Sequence, residues 1–449
     1  MSWLYWYTKY KYYKRYELYR DPRFSVGSAI AKIDPAAADV YKLSNLAVSA
    51  DDIAKYVSYT VQNNIMTTDD WAAILDVTQV SPSFALSVLS SPYLLPDIAA
   101  DVIKSPQLSA DKTQAILYAM PFSELLVYIL TRGAASVTLG ANATFRSVNR
   151  FYTLDLGGYT YIADGQPHVI IAKQINIPPA SKLVKTPTGG AGGGATNPLA
   201  GGGGGGGLII MCSRLDNAGE ISANGGDGKS VTSYTGAVRN GYGGGGGVFA
   251  LVGTDTVGNG GGGSFFPYGG VGNRNGGGGG AGRYASSTEI YYYGGAGGNS
   301  SIISYSSYAE LAEAVKRAAV DWVLVNVFRK RPTTVTQFPN VYGSGGGEGA
   351  YASSWTNGGG GGGGGGEVII LTVNFSNRGS IRADGGGGGG TAGVSATGGG
   401  GGGGGVVYVL YKTVTSLGTL SAQGGPGGIG STGWNGQPGS PGTAKAVAV

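Results

Sequence analysis

Apolar residues recur at helical spacing in the early part of this chain and at strand spacing later, and the change of period divides it. Over 34–132 the helical signal is Ile53, Tyr56, Val57 and Val61, then Ile98, Val102 and Ile103. Polar caps with acidic first turns introduce these runs, as at Ser49-Ala50-Asp51-Asp52 and Thr67-Thr68-Asp69-Asp70. Pro82, Pro96, Pro106 and Pro121 cut the stretch into short pieces, because proline opens one helix and stops the last. The pattern predicts a small all-helical domain.

Past Gly133 the residues become β-branched and aromatic, in Ser136-Val137-Thr138-Leu139, Tyr159-Thr160-Tyr161-Ile162 and His168-Val169-Ile170-Ile171. Residues 133–188 therefore read as a β junction. The remainder, 189–449, contains an internal repeat. Glycines 201–207 precede Leu208-Ile209-Ile210-Met211 and then Gly219-Glu220-Ile221-Ser222-Ala223. Glycines 358–366 precede Val368-Ile369-Ile370-Leu371 and Gly379-Ser380-Ile381-Arg382-Ala383; glycines 398–405 precede Val406-Val407-Tyr408-Val409-Leu410 and Gly418-Thr419-Leu420-Ser421-Ala422. From the last glycine of each run to the glycine of the second motif is 12, 13 and 13 residues (207 to 219, 366 to 379, 405 to 418). A flexible linker keeps no such phase. A degenerate copy lies at glycines 243–247 with Val248-Phe249-Ala250-Leu251-Val252, and Tyr161-Ile162-Ala163-Asp164-Gly165 resembles a first one.

One such unit cannot bury its nearly continuous apolar strand, whereas stacked units can. The expected fold is multidomain: an N-terminal small all-α domain, a β junction, and a C-terminal glycine-rich repetitive β-solenoid or sandwich with polyglycine-II runs. Ordering glycine costs on the order of 1–2 kcal/mol per residue, so the runs need neighbours. A threefold polyglycine helix supplies them, since without side chains its N–H groups reach adjacent carbonyls. Residues 308–331 interrupt the repeat with an amphipathic helix carrying Leu311, Val315, Ala318, Ala319 and Trp322, an inserted packing or subunit-contact element.

The 449 residues include 88 glycines without a Gly-X-Y period, which excludes collagen, while 41% hydrophobic residues argue against disorder. A net charge of +5 demands no nucleic-acid partner. Residues 1–33 open with an aromatic and basic segment without an apolar h-region, so it does not read as a secretory leader. It reads as an anchoring peg in which Trp3, Tyr5, Trp6, Tyr7, Tyr12 and Tyr13 dock into a partner.

Chemistry is sparse. His168 is the only histidine and Cys212 the only cysteine, which leaves no multi-histidine or cysteine zinc site, and Cys212 reads as a small core residue. The glycine runs lack the lysine and Ser/Thr of a phosphate-binding loop. No catalytic, cofactor or metal residues are assigned, and the protein is not expected to be an enzyme. Paired carboxylates remain the one open catalytic class, from Asp216, Glu220, Asp227, Glu348, Glu367 and Asp384, which would make a glycan depolymerase. Aromatics between the glycine runs suit sugar or protein contact: Phe265, Phe266, Tyr268, Tyr291, Tyr292, Tyr293, Trp355 and Trp434.

The unit of glycine run, apolar strand, Gly-x-Ile-x-Ala-x-Gly-Gly and further glycine run, over roughly 189–444, resembles glycine-rich tail-fibre and adhesin proteins of bacterial and archaeal viruses. The resemblance implies packed polyglycine-II helices with host-binding loops between them. It leads us to expect a structural virion fibre or spike subunit on the virion surface. Other virion proteins would bind its N-terminal half and a host glycan or protein its C-terminal half, in a homo-oligomer with a trimer expected. The alternative is a cellular extracellular filament or surface-layer protein.

Overall fold

The computed structural model describes residues 49–76, 80–187, 202–228, 230, 250–258, 282–285, 290–293, 303–339, 359–390, 398–430 and 435–449. It contains a few helices and a large parallel sheet. The chain divides into two compact units: Met1–Arg132 with Lys316–Gln337, and Gly133–Val315 with Phe338–Val449.

The first unit opens with α1 (Ala50–Gln62), α2 (Thr68–Asp76) and α3 (Pro82–Leu89), followed by α4 (Pro96–Lys104), α5 (Ala110–Ala119) and α6 (Glu124–Thr131). From α2 to α6 the helices start at 68, 82, 96, 110 and 124, a constant step of 14 residues. Alternate helices pack: α1 with α3, α3 with α5, α2 with α4, and α4 with α6. From α2 onward, packed neighbours are thus two steps, 28 residues, apart in sequence. Ile74, Val88, Val102, Ile116 and Leu130 recur at this step and are all buried, as are Met66, Val80, Leu94 and Leu108 in the connections. Helix starts follow local rules. Ser49, Ser81 and Ser123 accept from the backbone N–H three residues on, and Thr67 and Asp70 cap each other.

Helix α7 (Tyr308–Asn326) continues beyond Val315 into this unit. Sequence reading placed the whole of 308–331 in the glycine-rich part; two buried lysines explain the difference. Lys316 Nζ donates to the carbonyls of Tyr118 (2.8 Å) and Met120 (3.1 Å) at the end of α5. Lys330 Nζ donates to the Ile103 carbonyl (3.0 Å), the Leu108 carbonyl (2.6 Å) and Thr113 Oγ1 (2.8 Å). Carbonyls that a helix end leaves without partners are thereby satisfied by cations, the favoured charge there. Buried Asp321 completes the attachment by accepting from Gln114 Nε2, Tyr118 Oη and the Thr336 amide.

The second unit is built on a sheet with eleven strands among the described residues. Its long strands are β2 (Ala143–Asp155), β3 (Thr160–Ile177) and β5 (Gly207–Asn217). Beyond the insertion come β11 (Glu367–Asn377), β13 (Val406–Ser416) and the shorter β15 (Thr443–Ala448). Pairing is parallel and in register: His168, Leu208, Val368, Val407 and Ala444 stand side by side. A second row joins β4 (Lys182–Lys185), β6 (Glu220–Ser222), β12 (Ser380–Arg382) and β14 (Thr419–Ser421), also parallel. The first residues of β3 pair with β4, so the stretch expected as a junction supplies the beginning of both rows.

Each repeat is thus one long strand, a two-residue turn and one short strand. Alternate residues of the long strands, including Leu208, Ile210, Val368, Ile370, Val407 and Val409, share a core with Ile221, Ala223, Ile381 and Ala383 of the short row. Cys212 lies in this core, fully buried. The degenerate copy does not join the main sheet; β7 (Ala250–Val252) pairs with β10 (Ile303–Tyr305). The remaining strands are β1 (Val137–Thr138), on β2, and the antiparallel pair β8 (Gly282–Ala285) and β9 (Ile290–Tyr293).

Glycine runs lead into β5, β11, β13 and β15 and follow the short strands. Their hydrogen bonds recur at every third residue. Gly202 and Gly205 donate to Gly361 and Gly364, Gly362 and Gly365 to Gly400 and Gly403, and Gly401 and Gly404 to Gln437 and Ser440. A second set zigzags between rows: Gly226 donates to Gly203, Gly363 to Gly226, Gly386 to Gly363, Gly402 to Gly386, Gly425 to Gly402 and Gly439 to Gly425, at 2.7–2.9 Å. At the margin, side chains take over. Asn224 Oδ1, Asp227 Oδ1 and Ser230 Oγ, three residues apart, accept from the amides of Asp384, Gly387 and Gly390. A Cβ on Gly363 would lie 2.0 Å from the Gly203 carbonyl oxygen, which no side chain can accommodate.

Candidate functional site

Polar side chains converge at two places in the glycine-rich unit. The first surrounds Asp255, which follows β7 and is held by a turn in which its amide donates to the Val252 carbonyl (3.0 Å). Its carboxylate accepts from Tyr308 Oη (2.5 Å), Tyr408 Oη (3.0 Å) and Lys445 Nζ (2.5 Å). Burial pushes this carboxyl up, but hydrogen bonds from Lys445, Tyr308 and Tyr408 outweigh it and hold it below the usual range. Pairing puts Tyr408 beside Lys445, and the Tyr308 and Tyr408 rings meet edge to face at 5.5 Å.

Glu367 opens β11 on the same sheet and is fully buried, with both carboxyl oxygens 3.2 Å from the Ala250 amide. Burial raises its pKa well above the ordinary value, favouring the neutral acid, with the Ala250 hydrogen bond opposing. Burial pushes the nearby Tyr305 hydroxyl up to about 12, and the carboxyls of Glu367 and Glu310 act in the same direction. The sequence carried a signal for this residue: its partners in register are Gly207 and Val406, so a carboxylate stands where the other repeats have none.

The second cluster closes the start of β3. His168, the single histidine of the sequence, is completely buried. Its Nε2 lies 3.0 Å from Tyr161 Oη and its Nδ1 2.8 Å from the Asp164 carbonyl, so Nδ1 donates and Nε2 accepts. Burial lowers its pKa to about 4, with Lys185 adding to the effect and Asp164 opposing it. Lys185, also buried, donates to the Thr186 carbonyl (3.0 Å) and is drawn down to about 8 by burial. Phe145 stacks on Tyr161 at 4.3 Å.

In both clusters the polar groups meet partners inside the unit. The Cys212 thiol, pushed up to about 12 by burial, bonds Thr372 Oγ1 at 3.4 Å, so little reactive thiolate forms. Among the described residues no three His, Cys, Asp or Glu side chains group so as to hold a metal ion, and no helix is long and apolar enough to cross a membrane.

Of the aromatics expected to contact a sugar or protein, Phe265, Phe266, Tyr268, Trp355 and Trp434 lie outside the described residues, as do Trp3, Tyr5, Trp6, Tyr7, Tyr12 and Tyr13, expected to anchor. Tyr291, Tyr292 and Tyr293 fall in β9, in register with Tyr284, Arg283 and Gly282 of β8. The structure thus brings together Asp255, Tyr308, Tyr408 and Lys445, which sequence reasoning did not connect, because their contacts span 53 to 190 residues. Comparison with protein-family models, with curated proteins and with solved structures finds no match to this chain.

Proposed function

We propose that the chain is a structural subunit, not an enzyme, whose glycine-rich unit is a stacked β-solenoid bordered by a packed array of polyglycine-II helices. The observation that carries this reading is the three-residue recurrence of hydrogen bonds within and between the two rows of glycine runs. Such an array is stiff, because each run is bonded to several others through its backbone. A stiff scaffold that fixes ionisable groups internally and has long aromatic segments between its repeats in sequence suits a projecting virion fibre or spike. Segments 259–302 and 340–358, with Phe265, Phe266, Tyr268, Tyr291, Tyr292, Tyr293 and Trp355, would then touch a host glycan or protein, as would Trp434. Residues 1–33 would anchor the subunit to other virion proteins.

Negative-stain electron microscopy of the full chain, alone and lacking residues 1–33, tests this. Short stiff projections that cluster or attach only when 1–33 is present are the expected result. Shapeless chains would overturn the scaffold, and indefinite filaments would replace the spike with a structural polymer.

A further inference from the structure

Among the described residues the run over 435–442 is the last in the zigzag of rows, and five of its eight residues are not glycine: Asn435, Gln437, Ser440 and two prolines. Register equates Pro441 with Gly404, Gly365 and Gly205, and Pro438 with Gly401, Gly362 and Gly202. Those six glycines share two properties. All six amides donate to the next run of their own row. A Cβ on any of them would also strike the following run of the other row, 1.8–2.3 Å from a carbonyl oxygen. At Pro438 and Pro441 both requirements change together: proline has no N–H to donate, and its ring points where a further run would lie. Both prolines are exposed. The same substitution occurs once in the short row. Gly387 takes its acceptor from Asp227, but the position beside Gly387 one repeat later is Pro426, whose missing N–H needs no acceptor where Gly387 has no side chain to offer.

We propose that Pro438 and Pro441 are stops that close the growing face of the array and keep it from taking up a glycine run of a second copy. The inference rests on the reading of the runs as packed threefold helices. A face of aligned, unpaired backbone groups is a template for association, as at an open sheet edge, and proline removes it.

The test is sedimentation velocity of the full chain, with amide exchange measured over 398–405. P438G/P441G restores both donors and clears the ring positions. It is expected to self-associate at a concentration about tenfold or more below that of the unaltered protein. P438A/P441A restores the donors but keeps a Cβ, and is expected to associate more weakly than the glycine variant. A glycine variant that keeps slow exchange over 398–405 yet associates no more than the unaltered protein overturns the proposal. If the double glycine variant unravels the run, P438G and P441G made singly decide: association above that of the unaltered protein in either supports the stops, and none in both overturns them. Gly402→Ala separates the two readings, since its Cβ would lie 1.9 Å from the Gly363 carbonyl oxygen. An unchanged unfolding midpoint there would sink the array itself, not the stops alone.

Discussion

Asn217 and Asn377 are 160 residues apart in the chain and adjacent in the sheet, where Asn217 Nδ2 donates to Asn377 Oδ1 at 2.8 Å. The same Oδ1 accepts from the Gly379 amide at 3.2 Å, while Asn377 Nδ2 donates to the Leu417 carbonyl at 2.6 Å in the following repeat. One buried amide therefore ties three turns together. Asn377→Ala leaves several buried groups without partners and is expected to cost about 3 kcal/mol. Guanidinium unfolding followed by a probe in the sheet measures this; a midpoint unchanged from the parent would show that the ladder does not hold the turns.

Gly363 and Gly387 provide a matched comparison within the glycine runs. A Cβ at Gly363 meets backbone oxygen at 2.0 Å, whereas at Gly387 the nearest atom is Asp227 Oδ1 at 3.4 Å, an ordinary contact. Gly363→Ala is expected to destabilise the unit by about 3 kcal/mol or more, and Gly387→Ala by less than about 1 kcal/mol. Equal thermal shifts in the two variants would contradict the close approach of the runs.

His168 makes the glycine-rich unit sensitive to acid. Its folded pKa is lowered to about 4 by burial from an ordinary value of 6.5, so between those values the unfolded chain binds the proton more readily. Stability contributed by the neutral imidazole is therefore complete above about pH 6.5 and falls as pH drops toward 4. Because the chain has a single histidine, its imidazole resonance can be followed by NMR without assignment, and it should remain neutral at pH 5. His168→Leu, which matches Leu208 beside it, should flatten the pH dependence in this window.

Lys330 holds the carbonyls of Ile103 and Leu108 and the hydroxyl of Thr113. Lys330→Met keeps much of the stem but orphans these acceptors. The expected loss is about 3 kcal/mol in the helical unit, with faster proteolysis between Lys316 and Gln337. Retention of the parent's protease resistance would mean that the segment is held by apolar packing alone.

Local rules made much of this architecture legible. Ser49, Ser81 and Pro96 mark helix starts because capping acts within a few residues, and the apolar run after each glycine stretch marks its strand. The 14-residue helical step was harder to see, since equivalent buried positions mix types: Trp71, Ala85, Ala99, Thr113 and Val127 form one such series. Packing fixes that equivalence, and no shared residue announces it. Nothing in the sequence assigns the lysines at 316 and 330 a buried role, because their acceptors lie some two hundred residues upstream. For the same reason Asp255 could not be linked to Tyr408 and Lys445 before the sheet register was known.

The register of β5 against β11 also has a consequence in time. Their paired residues are 160 positions apart, whereas β11 and β13 are separated by 39 over most of their length. At synthesis rates of about 5–20 residues per second, β5 waits roughly 8–30 s for its neighbour, against about 2–8 s for β11. During that interval the edge formed by Leu208, Ile209, Ile210 and Met211 is available to wrong partners. Production of the intact protein should therefore respond more strongly to holding chaperones, or to slowed translation, over the segment between β6 and β11 than anywhere later in the chain.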